Sequence, residues 1–154
     1  GEYESTPFYQ EGAAICTVLG SASPETMQGV VSAARRHQSR CQVDLINSVD
    51  RKTAALQAAA LGVDIIGIHT GIDSQQLGHT PFSDLSEVVS LKTGKQISVA
   101  GGLTADTAPR AAELGADIIV VGGYITSASN PASAARSLQE ALRSSSHGPV
   151  QGNS

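Results

Sequence analysis

An α/β fold of the (β/α)8 TIM-barrel type, represented by five βα units of the eight and so an incomplete barrel, is what this sequence predicts. Three observations carry the prediction. Short β-branched apolar runs alternate with Ala-rich stretches of helical length, the pattern of parallel strands covered on both faces. G-V-D-I-I at 62–66 and G-A-D-I-I at 115–119 repeat one unit, with G-A-A-I-C at 12–16 a weaker copy. Finally, I-H-T-G-I-D (68–73), V-A-G-G-L (99–103) and V-G-G-Y-I (121–125) each close an apolar run on glycines or a functional side chain. In a parallel α/β protein those points share the rim at the C-terminal ends of the strands, where ligands bind.

In chain order, a helix is expected near 2–11, then a strand at 14–19 and a helix at 24–37 opened by Ser23 before Pro24. A strand at 41–46 leads through Asp50, a helix cap, into a helix at 51–61. Strands at 65–69, 96–100 and 118–122 precede helices at 83–93, 104–114 and 131–144, with Ser83, Thr104 and Asn130 as their starting residues. Gly12, Gly62 and Gly115 suit left-handed positions that end a helix just before a strand. The ordered domain is expected over 1–143, and the polar stretch 144–154 as a disordered tail, with no role for His147. Strand starts near 14 and 118 lie four intervals apart, about 26 residues per unit, so eight units need roughly 210 residues. An open five-stranded sheet is the alternative. However, the chain begins with a helix that has no strand before it, and at Gly1 rather than Met, so the expectation is a barrel whose first three strands are missing from this sequence.

Composition narrows the function. The 154 residues are 40% apolar but only 3% aromatic and hold no Trp, which makes the core aliphatic. Ten Lys and Arg against fourteen Asp and Glu give a net charge of −4 without a basic stripe, so nucleic acid is not an expected partner. No apolar run approaches the roughly 20 residues that span a bilayer, and no signal peptide is visible; no membrane partner and a cytoplasmic location are expected. Cys16 and Cys41 each sit in an expected strand, far from C-x-x-C spacing, and read as buried free thiols rather than a disulfide or metal pair.

The rim supplies the candidate site. Paired glycines let backbone N–H groups approach an anion, so Gly101 with Gly102 and Gly122 with Gly123 read as a phosphate cradle or as tight turns, and the two are compatible. His69 is either a proton carrier on the binding rim or a histidine hydrogen-bonded at a strand end. Asp44, in V-D-L-I, is costly to bury unpaired; a lysine, a metal, a substrate hydroxyl or a purely structural ion pair would each satisfy it. Asp73 either braces its loop or is surface-exposed, Thr17 either points into the barrel or packs, and His37 and His79 read as solvated. Asp64 and Asp117 precede strands, at the end opposite the site, and read as stability residues.

G-A-A-I-C-T-V-L-G (12–20), V-D-L-I (43–46), H-T-G-I-D-S-Q (69–75), V-A-G-G-L (99–103) and V-V-G-G-Y-I-T-S-A-S-N-P (120–131) occur in one order, each on a strand end. Over Gly1 to about Arg143 the chain resembles the 3-hexulose-6-phosphate synthases of the orotidine monophosphate decarboxylase-like superfamily. The resemblance implies aldol joining of ribulose 5-phosphate and formaldehyde with Mg²⁺, through an enediolate that the metal stabilises. It implies that His69 moves a proton near the reacting carbon, that Asp44 lines the substrate pocket, and that Gly101, Gly102, Gly122 and Gly123 hold the phosphate. It also implies a homodimer with sites near the subunit interface. The superfamily's D-x-K-x-x-D motif is absent: D-R-K-T-A-A at 50–55 has Ala55 where the last acid should stand, and follows the wrong strand. The metal ligands are therefore expected upstream, and the chain alone is expected to be inactive. Two alternatives stand. One is a 3-keto-L-gulonate 6-phosphate decarboxylase, disfavoured by Ile72, Gly123, Ala100 and Asp44. The other is a non-catalytic barrel remnant that binds sugar phosphate or a partner chain.

Overall fold

The computed structural model describes residues 1–71, 75–76 and 78–145. Ile72, Asp73 and His147, and nearly all of the expected tail, lie outside the described residues.

Helix α1 (Glu2–Gln10) leads into β1 (Ile15–Leu19), α2 (Pro24–Arg36), β2 (Arg40–Asp44), α3 (Arg51–Leu61) and β3 (Ile65–His69). Then come α4 (Phe82–Ser90), β4 (Gln96–Ala100), α5 (Ala108–Glu113), β5 (Ile118–Val120), α6 (Gly123–Thr126) and α7 (Pro131–Ser145). The five strands pair in chain order, β1-β2-β3-β4-β5, and every pair is parallel. The sheet is open, not closed into a barrel, and its edges are β1 and β5.

Caps explain several boundaries. Ser23 accepts a hydrogen bond from Thr26 N at 3.2 Å, Asp50 from Thr53 N at 3.0 Å, and Asn130 Oδ1 from Ser133 N at 3.0 Å. Two expected starts move. Ser83 lies inside α4, which begins after Pro81, and α5 begins only at Ala108 because Thr104–Thr107 form a tight turn, with Thr104 N donating to Thr107 Oγ1 at 2.9 Å. β2 stops at Asp44 rather than 46. β5 stops at Val120 because the chain turns through Gly122 into the short helix α6, which the periodicity did not reveal.

Strand residues alternate between two environments. Cys41, Val43, Ile66, Ile68, Ile97 and Val99 are buried in the helix-covered core, against Val30, Val31, Ala55, Ala58, Leu85 and Val88. Thr17, Gln42, Asp44, Gly67, His69 and Ser98 occupy the other face, as the register requires. That face is polar and tied together: Ser98 Oγ donates to Gln42 Oε1 at 3.2 Å, and Arg40 Nη1 to Gln96 Oε1 at 2.7 Å. Its edge members Ile15 and Leu19 on β1 and Val120 on β5 are exposed, whereas Ile65, between Gln42 and Gln96 at the centre of the sheet, is fully buried. The repeated G-x-D-I-I unit also acquires a reason. Asp64 Oδ2 accepts from Cys41 N and Asp117 Oδ2 from Ile97 N, both at 2.8 Å, so each aspartate secures the start of a neighbouring strand.

Cys16 and Cys41 are register partners on adjacent strands and both are free thiols, Cys41 buried but Cys16 only half-buried. His37 is half-buried rather than solvated, stacked on Tyr9 with ring centroids 6.1 Å apart. Burial pushes the Cys41 thiol up to about 12, with the Asp64 carboxylate beside it adding to the effect. Below the ordinary thiol value the group is protonated in folded and unfolded chains alike. Between pH 9 and about 12 only the unfolded chain ionises, so stability falls across that window, by about 1.4 kcal/mol per pH unit at most. Urea unfolding at pH 8 and pH 11 should show a steeper alkaline loss for the native chain than for Cys41→Val. Equal losses would remove the assignment.

Candidate functional site

The rim is built by four strand ends. Asp44 ends β2, His69 ends β3, Gly101 and Gly102 follow β4, and Gly122 and Gly123 follow β5. His69, Gly101, Gly102, Gly122 and Gly123 share one cavity of about 570 Å³, which Gln75, Thr104 and Tyr124 also line. Five of the six candidate residues thus meet in one space, and the sixth, Asp44, is bonded to His69.

Asp44 has the histidine as its partner. Its Oδ2 lies 3.0 Å from His69 Nδ1, while Oδ1 accepts the backbone N–H of Ile46 at 2.9 Å. The Asp44 and His69 side chains are 17% and 36% exposed, which leaves the pair reachable from solvent but partly shielded from its screening. A carboxylate only accepts, so this contact requires the proton of neutral His69 to sit on Nδ1 and frees Nε2 as a base. Protonated, the imidazole donates from both nitrogens. The arrangement can hold, take up or release one proton at Nε2.

The glycine turns differ from one another. Gly101 has φ +113°, and a β-carbon there would fall 2.5 Å from the Thr70 carbonyl oxygen and 2.9 Å from its nitrogen; only glycine fits where β3 and β4 end side by side. At Gly122 and Gly123 an added β-carbon would meet nothing within 4 Å, so their backbone borders open cavity. A wall of such bare backbone can bring N–H groups close to anionic oxygens.

Gln75 closes the H-T-G-I-D-S-Q motif, where sequence reasoning assigned it no role. It donates from Nε2 to the Thr70 carbonyl at 2.6 Å, and its Oε1 would meet a Gly102 side chain at 3.0 Å. It therefore braces the loop after β3 against the turn after β4. Its place in the motif was the available signal. Thr70, one residue past His69, was also missed, because nothing in its identity marks it.

Mg²⁺ takes hard oxygen ligands in near-octahedral array. Among the described residues no group of three His, Cys, Asp or Glu side chains is placed to hold a metal, and Asp44 is engaged by His69. The described residues by themselves do not compose a magnesium site. Among the described residues no helix is long and apolar enough to cross a membrane.

The model of the orotidine 5'-phosphate decarboxylase / HUMPS family matches residues 1–138. The chain belongs to that family. It is 47% identical over 135 residues to the 3-hexulose-6-phosphate synthase of Methylomonas aminofaciens, covering 88% of this chain and 65% of the relative. The crystal structure of 3-hexulose-6-phosphate synthase from Salmonella typhimurium superposes with a TM-score of 0.89 at 33% identity, over 94% of this chain and 69% of that one. This member of the family thus spans about two thirds of the length of the relatives it matches. KGPDC (3-keto-L-gulonate-6-phosphate decarboxylase) from Streptococcus mutans superposes at TM-score 0.82 and 24% identity, over 93% of this chain and 67% of that one, and shares the fold. The parallel βα units of this chain are therefore those of the family's barrel.

Proposed function

We propose that this chain carries the sugar-phosphate site of a 3-hexulose-6-phosphate synthase, which joins ribulose 5-phosphate to formaldehyde. The observation that carries the reading is the single cavity that His69 shares with both glycine turns, with Asp44 holding the imidazole in one tautomer. The likeness to synthases in sequence and structure supports the same reaction.

In this reading the phosphate sits against Gly101, Gly102, Gly122 and Gly123, which sets the reacting end of the sugar toward His69. A proton leaves C1, and the electron pair is held as an enediolate. C1 then forms a bond to the formaldehyde carbon; the carbonyl π pair moves to oxygen, which takes up a proton. His69 Nε2 is the group of this chain suited to carry a proton at that end of the cavity. No D-x-K-x-x-D motif is in the sequence, so we propose that these 154 residues alone do not turn over.

The decarboxylase reading has less support. Gly123 puts open space where that branch carries an arginine, and the decarboxylase relative is the more distant. The deciding experiment assays the whole gene product that contains these residues. Ribulose 5-phosphate should disappear only when formaldehyde is added. Release of carbon dioxide from 3-keto-L-gulonate 6-phosphate without that activity would overturn the proposal.

A further inference from the structure

His69 stands in the wall of a second cavity as well, about 340 Å³ in volume, whose lining includes Asn47, Arg51, Thr70, His79 and Ser83. None of these but His69 has a part in the reaction proposed above. Three features describe what the space would hold.

The first is an unsatisfied hydroxyl. Thr70 is 7% exposed, and its Oγ1 is buried with no hydrogen-bond partner among the described residues, although both of its backbone groups are used, the nitrogen on Ala100 O at 3.1 Å and the carbonyl by Gln75. Buried hydroxyls are nearly always paired, and one left alone is costly, so with Thr70 in the cavity wall a χ1 rotation that turns the hydroxyl to a polar molecule there is favoured. The second is charge balance. Arg51 Nη2 lies 3.1 Å from Asp84 Oδ2, at the same cavity, so the guanidinium is neutralised there and the described lining residues offer no net charge to an anion. This differs from the bare backbone of the glycine turns. The third is position, because a molecule in this space and one in the glycine-lined cavity meet at the same imidazole.

We infer that the second cavity admits the small, uncharged carbonyl substrate, an aldehyde or its hydrate, to His69 while the sugar phosphate occupies the first. The inference rests on the reading under Proposed function and adds the route and polar contact of the second substrate. Two doors separate the reactants by charge: an anion is drawn to backbone N–H groups, a neutral carbonyl compound to a hydroxyl and an imidazole. Thr70 is then a positioning residue for the aldehyde.

The test uses steady-state kinetics of the whole gene product, varying formaldehyde and ribulose 5-phosphate separately. Thr70→Val removes the hydroxyl at nearly constant shape, and should raise KM for formaldehyde about five- to tenfold while KM for the sugar phosphate stays within about twofold. Its thermal midpoint should not fall, since the lost hydroxyl has no partner among the described residues. Ser83→Leu, on the exposed first turn of α4, narrows the same cavity and should shift the same constant should Thr70→Val not fold. Unchanged constants in both variants, or equal rises for the two substrates, would overturn the inference and leave the synthase reading intact. A native protein that binds ribulose 5-phosphate but consumes no formaldehyde would overturn both.

Discussion

Replacing His69 with alanine in the whole gene product is expected to lower turnover by about 10²- to 10⁴-fold, the range for a positioned general acid or base. Affinity for the sugar phosphate should change by no more than a few-fold, because the glycine turns that bear on the phosphate come from β4 and β5 rather than β3. Asp44→Asn sharpens the assignment. Asparagine keeps the shape but can present a donor to Nδ1, which moves the imidazole proton to Nε2 and turns the base into a donor. Turnover should fall in that variant too, with KM for the sugar phosphate nearly unchanged. Should KM rise while kcat holds, Asp44 is a substrate ligand and not the residue that orients His69. Full activity in His69→Ala would leave the imidazole a structural group hydrogen-bonded at a strand end.

Gly123→Val and Gly101→Val should fail in opposite ways. At Gly123 an added β-carbon meets no atom within 4 Å beyond its own chain neighbours and helix backbone, so the fold should tolerate valine with a thermal midpoint close to native. The added methyls project into the cavity, and affinity for inorganic phosphate or ribulose 5-phosphate should drop at least about tenfold, some 1.4 kcal/mol. At Gly101 the left-handed backbone and the 2.5 Å approach to Thr70 O leave no room, and the backbone itself must move. Destabilisation of about 3 kcal/mol or more is expected there, read by urea unfolding. Unchanged phosphate affinity in a folded Gly123→Val would remove the cradle from the second turn. A stable Gly101→Val would show that the two strand ends are looser than their contact implies.

Much of this was legible in the residues. The strand positions, their parallel order and the rim on which H-T-G, G-G-L and G-G-Y sit follow from two periodicities and a repeat, although the expected cover on both faces holds for β3 and most of β4 and fails at the edge strands β1 and β5. The Asp50 and Asn130 caps were readable for a similar reason: they act within three residues of themselves. The errors had two sources, competing local turns and contacts between elements. Ser83 and Thr104 have the chemistry of caps, but α4 begins one residue earlier, after Pro81, and the local turn at Thr104–Thr107 delays α5 to Ala108. His37 looked solvated because its neighbour, Tyr9, lies in another helix.

The sequence by itself determined the βα architecture and the candidate residues on its rim, since these depend on pattern and spacing along one chain, while the family rested on the likeness of its motifs to known relatives. The tertiary structure alone decided their relationships. It paired Asp44 with His69, joined His69 to both glycine turns in one cavity and left the Thr70 hydroxyl unsatisfied beside a second. Such facts arise between strands roughly 20 or more residues apart, where the register of the sheet sets which side chains meet and no local preference records it.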